Sequence, residues 1–217
     1  MKKLLALLTA LLLCLTLTGC KTNPYEHIEN PIATITMEDG STMRFELYLQ
    51  VAPNTVANFA KLANDGFYDR MEFFRVVPGV LIQSGCPENS GVGHADHMIR
   101  GEFAANGVEN DISHTRGVIS MARLSGDENF DTASSQFFIM QGNYPEYDGH
   151  YAAFGAAMDG ESLEVLDKIA NRVVDAHNVP IARQRIATIR VNTHNWVLEP
   201  ATIPFPEEAE EEKNTKK

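Results

Sequence analysis

The sequence is poor in cysteine and in basic residues, and both shortages exclude classes of protein. Three cysteines in 217 residues cannot build the disulfide framework of a small secreted scaffold, so the fold must be stabilised by its own core. Lysine and arginine together number 18 against 29 aspartate and glutamate residues, which gives a formal net charge of −11. Because nucleic-acid phosphates are bound by basic patches, this balance argues against a nucleic-acid partner.

The N-terminal apolar stretch, Leu4 to Leu17, is shorter than the roughly 20 residues that span a bilayer. It follows a positive start and ends in Leu17-Thr18-Gly19-Cys20, which resembles the bacterial lipobox, a cleavage site directly before a cysteine that receives lipid. We therefore predict lipid attachment at Cys20 and an extracytoplasmic protein anchored to a bacterial membrane, on the outer face of the cell membrane or on the periplasmic side. The alternative is a secretory peptide cut nearby, with Cys20 left free.

Composition divides the chain into four parts. Residues 1–19 are predicted to be the lipoprotein signal peptide, 20–30 a lipidated tether, and 31–197 a single domain. Residues 198–217 contain the run Glu207–Glu212 and are predicted to be an acidic, disordered tail. We expect the domain to be a monomer.

The pattern of apolar residues predicts mainly strands. A hairpin is predicted over 33–37 and 42–49, and apolar stripes predict helices over 53–64 and 162–171. Further strands are predicted around 71–85, 116–123, 135–140, 152–158 and 186–193. Many antiparallel strands with two helices predict an all-β protein, a closed antiparallel β-barrel capped by the two helices.

A single arginine inside an apolar run gives the clearest indication of function. Arg75 lies in a strand-like segment where alternation places it on one face with Phe73 and Val77, although the Phe73 ring itself is expected to belong to the core. A guanidinium is costly to desolvate without hydrogen-bond acceptors, so its position in such a run indicates a specific use. After a bend at Pro78-Gly79, Gln83 continues the polar pattern. One face thus combines a fixed cation, an amide and apolar surface, which suits a ligand that is apolar but carries one polar group.

Four motifs in order make the sequence resemble the cyclophilin family of peptidyl-prolyl cis-trans isomerases. They are F-x-R-V-V-P-G-x-x-x-Q-x-G at 73–85, G-V-I-S-M-A-R at 117–123, S-Q-F-F-I at 135–139 and D-G-x-Y-A-A-F-G at 148–155. The resemblance covers about residues 32–195. It implies an eight-stranded barrel and an enzyme that accelerates rotation about X-Pro bonds. Together with the predicted lipid anchor, this leads us to expect that it acts on exported or surface proteins and assists their folding. No cofactor or metal is expected, and the partners are proline-containing polypeptides.

The resemblance also implies roles for individual residues. Arg75 would donate a hydrogen bond to the amide nitrogen of the rotating bond, Gln83 would hold the guanidinium or the substrate carbonyl, and Phe138 would form the floor of the proline pocket. The residues implied to bind the peptide along the same groove are Val80, Leu81, Gly91, Met121, Ala122, Arg123, Gln136, Tyr147 and Tyr151.

Three positions depart from the best-known pattern of the family. Val80 stands where a phenylalanine is frequent, Tyr151 replaces a histidine, and Glu146-Tyr147 replaces a Trp-Leu pair. In the family that tryptophan helps to bind cyclosporin, so we expect weak cyclosporin binding. The departures also leave open a peptide-binding, chaperone-like module with little isomerase activity.

Two further interpretations stay open at the level of sequence. Cys86, His94, Asp96 and His97 could form a metal or thiol site, although such a site needs three or four converging ligands. The acidic loop 124–133 could favour basic substrates or could be a mobile loop without preference.

Overall fold

The computed structural model describes residue 25 and residues 27–205. The predicted signal peptide, the lipidation site Cys20 and the glutamate run at 207–212 lie outside the described residues. Within the described ranges, no helix combines the length and the apolar character needed to cross a membrane.

Ten strands and two α-helices make up the described fold, in the order β1–β2–α1–β3–β4–β5–β6–β7–β8–α2–β9–β10. The strands are β1 (Ile32–Met37), β2 (Thr42–Leu47), β3 (Arg75–Val77), β4 (Leu81–Ser84), β5 (His97–Met98), β6 (Val118–Met121), β7 (Phe137–Met140), β8 (Ala153–Ala157), β9 (Ile186–Asn192) and β10 (Ile203–Pro204). The helices are α1 (Pro53–Asn64) and α2 (Gly160–Ala170).

Eight of these strands form one antiparallel sheet in the order β3-β4-β7-β6-β8-β2-β1-β9. The sheet is curled, and its two edge strands approach each other: an antiparallel bridge between Glu72 and Arg185 joins the segments just before β3 and β9. The predicted mostly-β fold with eight strands and two helices is confirmed. In the described part of the chain, β3 and β9 form no continuous ladder with each other, so the curled sheet is not shown to be a closed barrel.

Carboxylates bind the N-terminal turns of both helices. Glu102 accepts hydrogen bonds from the backbone nitrogens of Asn54 (3.1 Å) and Thr55 (2.7 Å) at the start of α1. Burial raises the pKa of the Glu102 carboxyl, while these bonds act in the opposite direction. Asp159 caps α2 by accepting from the Ser162 nitrogen at 2.8 Å. Because this cap precedes the apolar stripe, α2 begins two residues before the predicted start at 162.

Apolar side chains are buried on both faces of the sheet. Between the concave face and α1 lies the main core, in which the rings of Phe59, Tyr68, Phe137 and Phe154 pack with centroids 5.2–5.6 Å apart. A second, smaller cluster lies on the other face of the strands β4, β6, β7 and β8. Its buried members are Leu81, Val118, Phe138, Met140 and Ala153. This outer cluster supports the candidate site.

The segment after β9 follows a defined path where the sequence predicted disorder. Leu198 packs against the main core, and β10 pairs with β5 through Ile203 opposite Met98. The expectation of a disordered tail from residue 198 is therefore wrong for residues 198–205. The acidic composition of the tail predicted disorder, but residues 198–205 include apolar side chains, such as Leu198, that pack on the domain.

Candidate active site

A row of three polar side chains crosses the outer face of the sheet at the edge formed by β3 and β4. The register of this hairpin sets Arg75 opposite Gln83. The Arg75 Nη1 donates to Gln83 Oε1 at 3.0 Å, and Gln83 Nε2 donates to Gln136 Oε1, also at 3.0 Å. The structure thus brings together three residues that the sequence predicted to share a site.

The row is anchored in the backbone of a glycine loop. Gln136 Nε2 donates to the carbonyl oxygens of Gly91 (2.9 Å) and Gly93 (2.8 Å). The guanidinium is therefore linked through two amides to fixed peptide groups, which limits its freedom to move. Gly91, predicted to line the groove, contributes to this anchor through its carbonyl.

Phe138 lies beside this row and forms an apolar floor. It is the register partner of Gln83 across β4 and β7, and it belongs to the outer cluster with Leu81. The ring of Tyr151 meets Phe138 edge-on with centroids 5.5 Å apart, and the Tyr147 ring lies 5.7 Å from it. Val80 also packs against this cluster, so two tyrosines and an aliphatic side chain border the floor.

Arg123 holds the far end of the groove through its side chain. Its guanidinium carbon lies 5.0 Å from the ring centroids of Phe130 and Tyr151. The same guanidinium donates to the carbonyls of Leu124, Gly126 and His150. These contacts fix the start of the loop 124–133. The neighbouring Ala122 nitrogen donates to the Gln136 carbonyl at 2.9 Å, so it is occupied within the sheet and is not free to bind a peptide.

A groove of about 440 Å³ adjoins the polar row. Its walls are formed by Gln83, Gly91, Val92, His94, Ala122, Arg123, Leu124, Thr132, Ser134, Gln136 and Phe205. Five of the predicted site residues therefore line one cavity. The acidic residues of the loop 124–133 are not among its walls, and Asp131 is engaged with the Gly101 nitrogen and the Asn106 amide.

Two expectations about side-chain direction are wrong. Met121 is 1% exposed and lies in the main core, because it pairs with Phe137 on the concave face and therefore points away from Phe138. Its side chain cannot bind a peptide in the groove. Phe73 lies in the main core together with Val76, where its ring was expected, but the alternation that would place it beside Arg75 is interrupted before β3 begins.

His114 is a buried polar residue behind the site, and no pattern in the sequence identifies it. Its Nδ1 lies 2.9 Å from Asp148 Oδ1 and its Nε2 lies 3.1 Å from Ser120 Oγ. The ring stacks near Phe138 at 6.0 Å between centroids. Burial lowers the pKa of His114, and the hydrogen bond to Asp148 only partly opposes this. An isolated histidine before a strand carries no pattern, so only its position in the fold reveals it.

The residues considered for a metal or thiol site do not converge. Cys86 is buried and its sulfur accepts from the Gly91 and Gly93 nitrogens, each at 3.2 Å. His97 contacts Asp96 and Asn58, whereas His94 contacts the Ala95 carbonyl. Among the residues that the structure describes, no group of three or more His, Cys, Asp or Glu side chains could hold a metal ion.

Comparisons with known proteins agree with this geometry. The family model "Cyclophilin type peptidyl-prolyl cis-trans isomerase/CLD" matches residues 32–191. Peptidyl-prolyl cis-trans isomerase B of Bacillus subtilis is 42% identical over 135 residues, which cover 62% of this chain and 87% of that protein. The peptidyl-prolyl cis-trans isomerase of Helicobacter pylori strain J99 is 42% identical over 137 residues, covering 63% of this chain and 79% of that protein.

Solved structures show the same relationship. A crystal structure of a cyclophilin-type isomerase from Cryptosporidium parvum superposes with a TM-score of 0.65 at 28% identity, covering 75% of this chain and 98% of that one. A second structure of that enzyme, determined in the presence of the dipeptide Ala-Pro, superposes with a TM-score of 0.64 at 29% identity and covers 74% of this chain and 98% of that one. From its four motifs, its fold and these matches, the chain belongs to the cyclophilin family and is a peptidyl-prolyl cis-trans isomerase.

Proposed function

We propose that Arg75 provides the transition-state stabilisation in this isomerase. The proline side chain would rest on Phe138 and Leu81, and the guanidinium would address the nitrogen of the rotating amide. Gln83 acts on Arg75, and so it is a positioning residue.

The chemistry of the reaction explains why one fixed donor is sufficient. Conjugation of the amide gives its rotation a barrier of about 18–20 kcal/mol, and spontaneous X-Pro exchange takes tens to hundreds of seconds. In the twisted state the nitrogen loses conjugation and becomes more basic. A donor aimed at this nitrogen therefore binds the twisted state more tightly than either planar isomer, which is the condition for acceleration.

The observation that carries the proposal is the environment of the Arg75 guanidinium. It donates to the neutral Gln83 amide, and within the described residues it takes part in no ion pair. Five of the other arginines among the described residues form ion pairs with carboxylates: Arg44, Arg116, Arg183, Arg185 and Arg190. A guanidinium held over an apolar floor without a counter-ion keeps its charge available for a substrate.

Exchange NMR on an Ala-Pro peptide tests this role. We expect Arg75→Ala to lower kcat/KM by about 10²–10³-fold, the range seen when one transition-state donor is removed. Arg44→Ala is the matched control, since Arg44 is half exposed and pairs with Asp159 at 3.9 Å. Activity of Arg75→Ala within threefold of the control would show that Arg75 is not the donor. Peptide binding by the wild type without acceleration would instead support the chaperone-like alternative.

The residues that border the apolar floor at Phe138 support a proposal about the binding of cyclosporin. Val80, Tyr147 and Tyr151 leave no tryptophan indole at the rim, so cyclosporin should bind weakly. Calorimetric titration with cyclosporin checks this, and Glu146→Trp, which restores the tryptophan at its position in the Trp-Leu pair, should strengthen the binding if the missing indole is responsible.

We also propose that the enzyme is a monomer anchored by lipid at Cys20 and that it assists the folding of exported proteins outside the cytoplasm. The sequence Leu17-Thr18-Gly19-Cys20 after a positive, apolar start supports the lipid anchor. Expression in a bacterium with radiolabelled palmitate should label the wild type and Cys86→Ser but not Cys20→Ser. Label retained by Cys20→Ser, or its absence from the wild type, would contradict the anchor.

The curled sheet itself is proposed to close into a barrel. Backbone bonds from the Phe73 nitrogen to the Gln184 carbonyl (2.9 Å) and from the Ile186 nitrogen to the Met71 carbonyl (2.8 Å) support closure beside the Glu72–Arg185 bridge. These two amide protons should exchange as slowly as those of β1. Rapid exchange would indicate an open seam.

A further inference from the structure

The C-terminal segment 198–205 is docked on the domain by specific contacts, although it lies beyond the residues 32–191 that match the family model. Asn54 on α1 holds the backbone of Ala201 from both sides, with Nδ2 donating to the carbonyl at 3.0 Å and Oδ1 accepting from the nitrogen at 2.6 Å. Two residues later β10 pairs with β5. The segment is therefore positioned by side-chain and backbone bonds.

These contacts bring Phe205 to the groove beside the polar row. Its ring stacks on the His94 ring with centroids 4.0 Å apart and planes inclined by 24°. Both rings are walls of the groove that Gln83 and Gln136 also line. An aromatic surface supplied from outside the matched region thus adjoins the residues that position Arg75.

The groove remains open with Phe205 in place. Its volume of about 440 Å³ lies within the range of about 300–1,000 Å³ that is usual for ligand pockets. Phe205 is therefore a wall of the groove and does not fill it.

The rim of the groove favours an apolar occupant. Val92 is 81% exposed and Leu124 is 63% exposed at its entrance. No carboxylate of the described residues lines the groove, and the Arg123 guanidinium is already bonded to backbone carbonyls. A cationic side chain entering here would lose hydration without gaining a partner, whereas an aromatic side chain would gain contact with Phe205.

We propose that Phe205 is a specificity-determining residue for the isomerase reaction, forming the wall that receives an apolar, preferably aromatic, side chain of a substrate residue flanking the proline. The inference rests on the proposed binding of that proline against Phe138 and Arg75, because this places the neighbouring residue of the peptide at the groove. Asn54 is a positioning residue, because it acts on Phe205 through Ala201.

The test measures kcat/KM for short X-Pro peptides in which Phe or Lys occupies each position around the proline in turn. The wild type should prefer Phe over Lys at one position. Phe205→Ala should lower that ratio by about two- to tenfold, the range for one aromatic contact, and leave the ratios at other positions unchanged. Ile181→Ala, at an apolar side chain that is exposed elsewhere, is the matched control.

Asn54→Ala gives an independent check, because it should release the segment that carries Phe205 and so reduce the same ratio without replacing any residue that lines the groove. Circular dichroism and the thermal midpoint establish that both variants are folded. Unchanged preference in Phe205→Ala, or a uniform rise in kcat/KM for every peptide, would overturn the proposal; the uniform rise would mean that Phe205 obstructs the groove. A wild type that accelerates no peptide would contradict the proposed function of Arg75 instead, so the two failures are distinguishable.

Discussion

At the scale of single residues, the site depends on where charge is left uncompensated and where it is neutralised. Arg75 is held by an amide, whereas Arg190 forms two bonds with the Asp69 carboxylate at 2.7 Å each. An amide fixes the orientation of a guanidinium with little loss of its positive field. Orientation and available charge can therefore be altered separately by mutation.

Replacing Gln83 tests how much the activity depends on the orientation of the Arg75 guanidinium. Gln83→Leu removes the acceptor for Arg75 and the donor to Gln136, so the guanidinium becomes mobile while its charge remains. We expect kcat to fall about tenfold or more with KM nearly unchanged, since misplacement by about 1 Å can cost 10²-fold. Steady-state kinetics on an Ala-Pro peptide measure this. A rise in KM alone would mean that Gln83 binds the substrate directly.

His114 should make stability depend on pH. Burial holds its pKa in the folded protein below the ordinary value of about 6.5, so the folded state binds fewer protons than the unfolded state. The stability linked to His114 is present above pH 6.5 and is lost as the pH falls through the folded pKa. The unfolding free energy should therefore decline as the pH falls from about 7 towards the folded pKa of His114.

Urea denaturation across that range measures the decline, and His114→Gln should have a shallower slope than the wild type. Asp148 titrates at lower pH than His114. Burial raises the pKa of Asp148, but the hydrogen bonds from His114 outweigh burial and keep this pKa below its ordinary value. Equal slopes for wild type and variant would contradict the assignment to His114.

At the scale of elements, consecutive residues of one strand serve different purposes. Phe137 on β7 enters the main core and Phe138 enters the outer cluster, as the two-residue period requires. Alternation therefore allowed the sequence to predict which faces carry Gln83, Gln136 and Phe138. It failed for Phe73, where the strand begins later than the apolar run, and for Met121, whose motif indicates the strand but not the face.

Other features were beyond prediction because they depend on contacts distant in sequence. The burial of His114 requires Asp148 and Ser120 to converge, and the docking of Phe205 requires Asn54 on α1. Neither contact leaves a local pattern. The helices and the hairpin were predicted within a few residues, since their signals are local.

The junction after β4 should tolerate an added side chain poorly. A Cβ on Gly85 would lie 2.3 Å from the Ser135 carbonyl oxygen, and its φ is +88°. Gly40 has a similar φ of +84°, but a Cβ added there would have no atom of a non-neighbouring residue within 4 Å. Gly40→Ala therefore measures the effect of backbone conformation alone. We expect Gly40→Ala to cost about 1–2 kcal/mol of unfolding free energy and Gly85→Ala roughly 4 kcal/mol or more. Similar losses in urea denaturation would show that backbone conformation, not close approach, requires glycine at 85.

At the scale of the whole molecule, the curled sheet separates stability from activity. The main core lies on its concave face and the candidate site on its outer face, with the same strands between them. Substitutions on the two faces should accordingly have different effects.

Phe59 and Phe138 make this comparison with the same residue type. Phe59→Ala removes a ring that packs 5.2–5.3 Å from three other rings and should cost about 3–5 kcal/mol of unfolding free energy, with kcat/KM largely retained below the midpoint. Phe138→Leu roughly conserves volume, so it should cost less than about 1.5 kcal/mol yet lower kcat/KM. Thermal unfolding and exchange NMR on both variants check the pair. Parallel losses of both properties would mean that the two faces are not independent.

The hydrogen bonds from Arg75 to the glycine loop also have a direction. A guanidinium can only donate and a peptide carbonyl can only accept, so the two glutamine amides between them satisfy every bond in a single orientation. Flipping either amide would set donor against donor or acceptor against acceptor. The polarity of the whole row is therefore dictated by its two ends, and the cation stays aligned without any proton having to move during turnover.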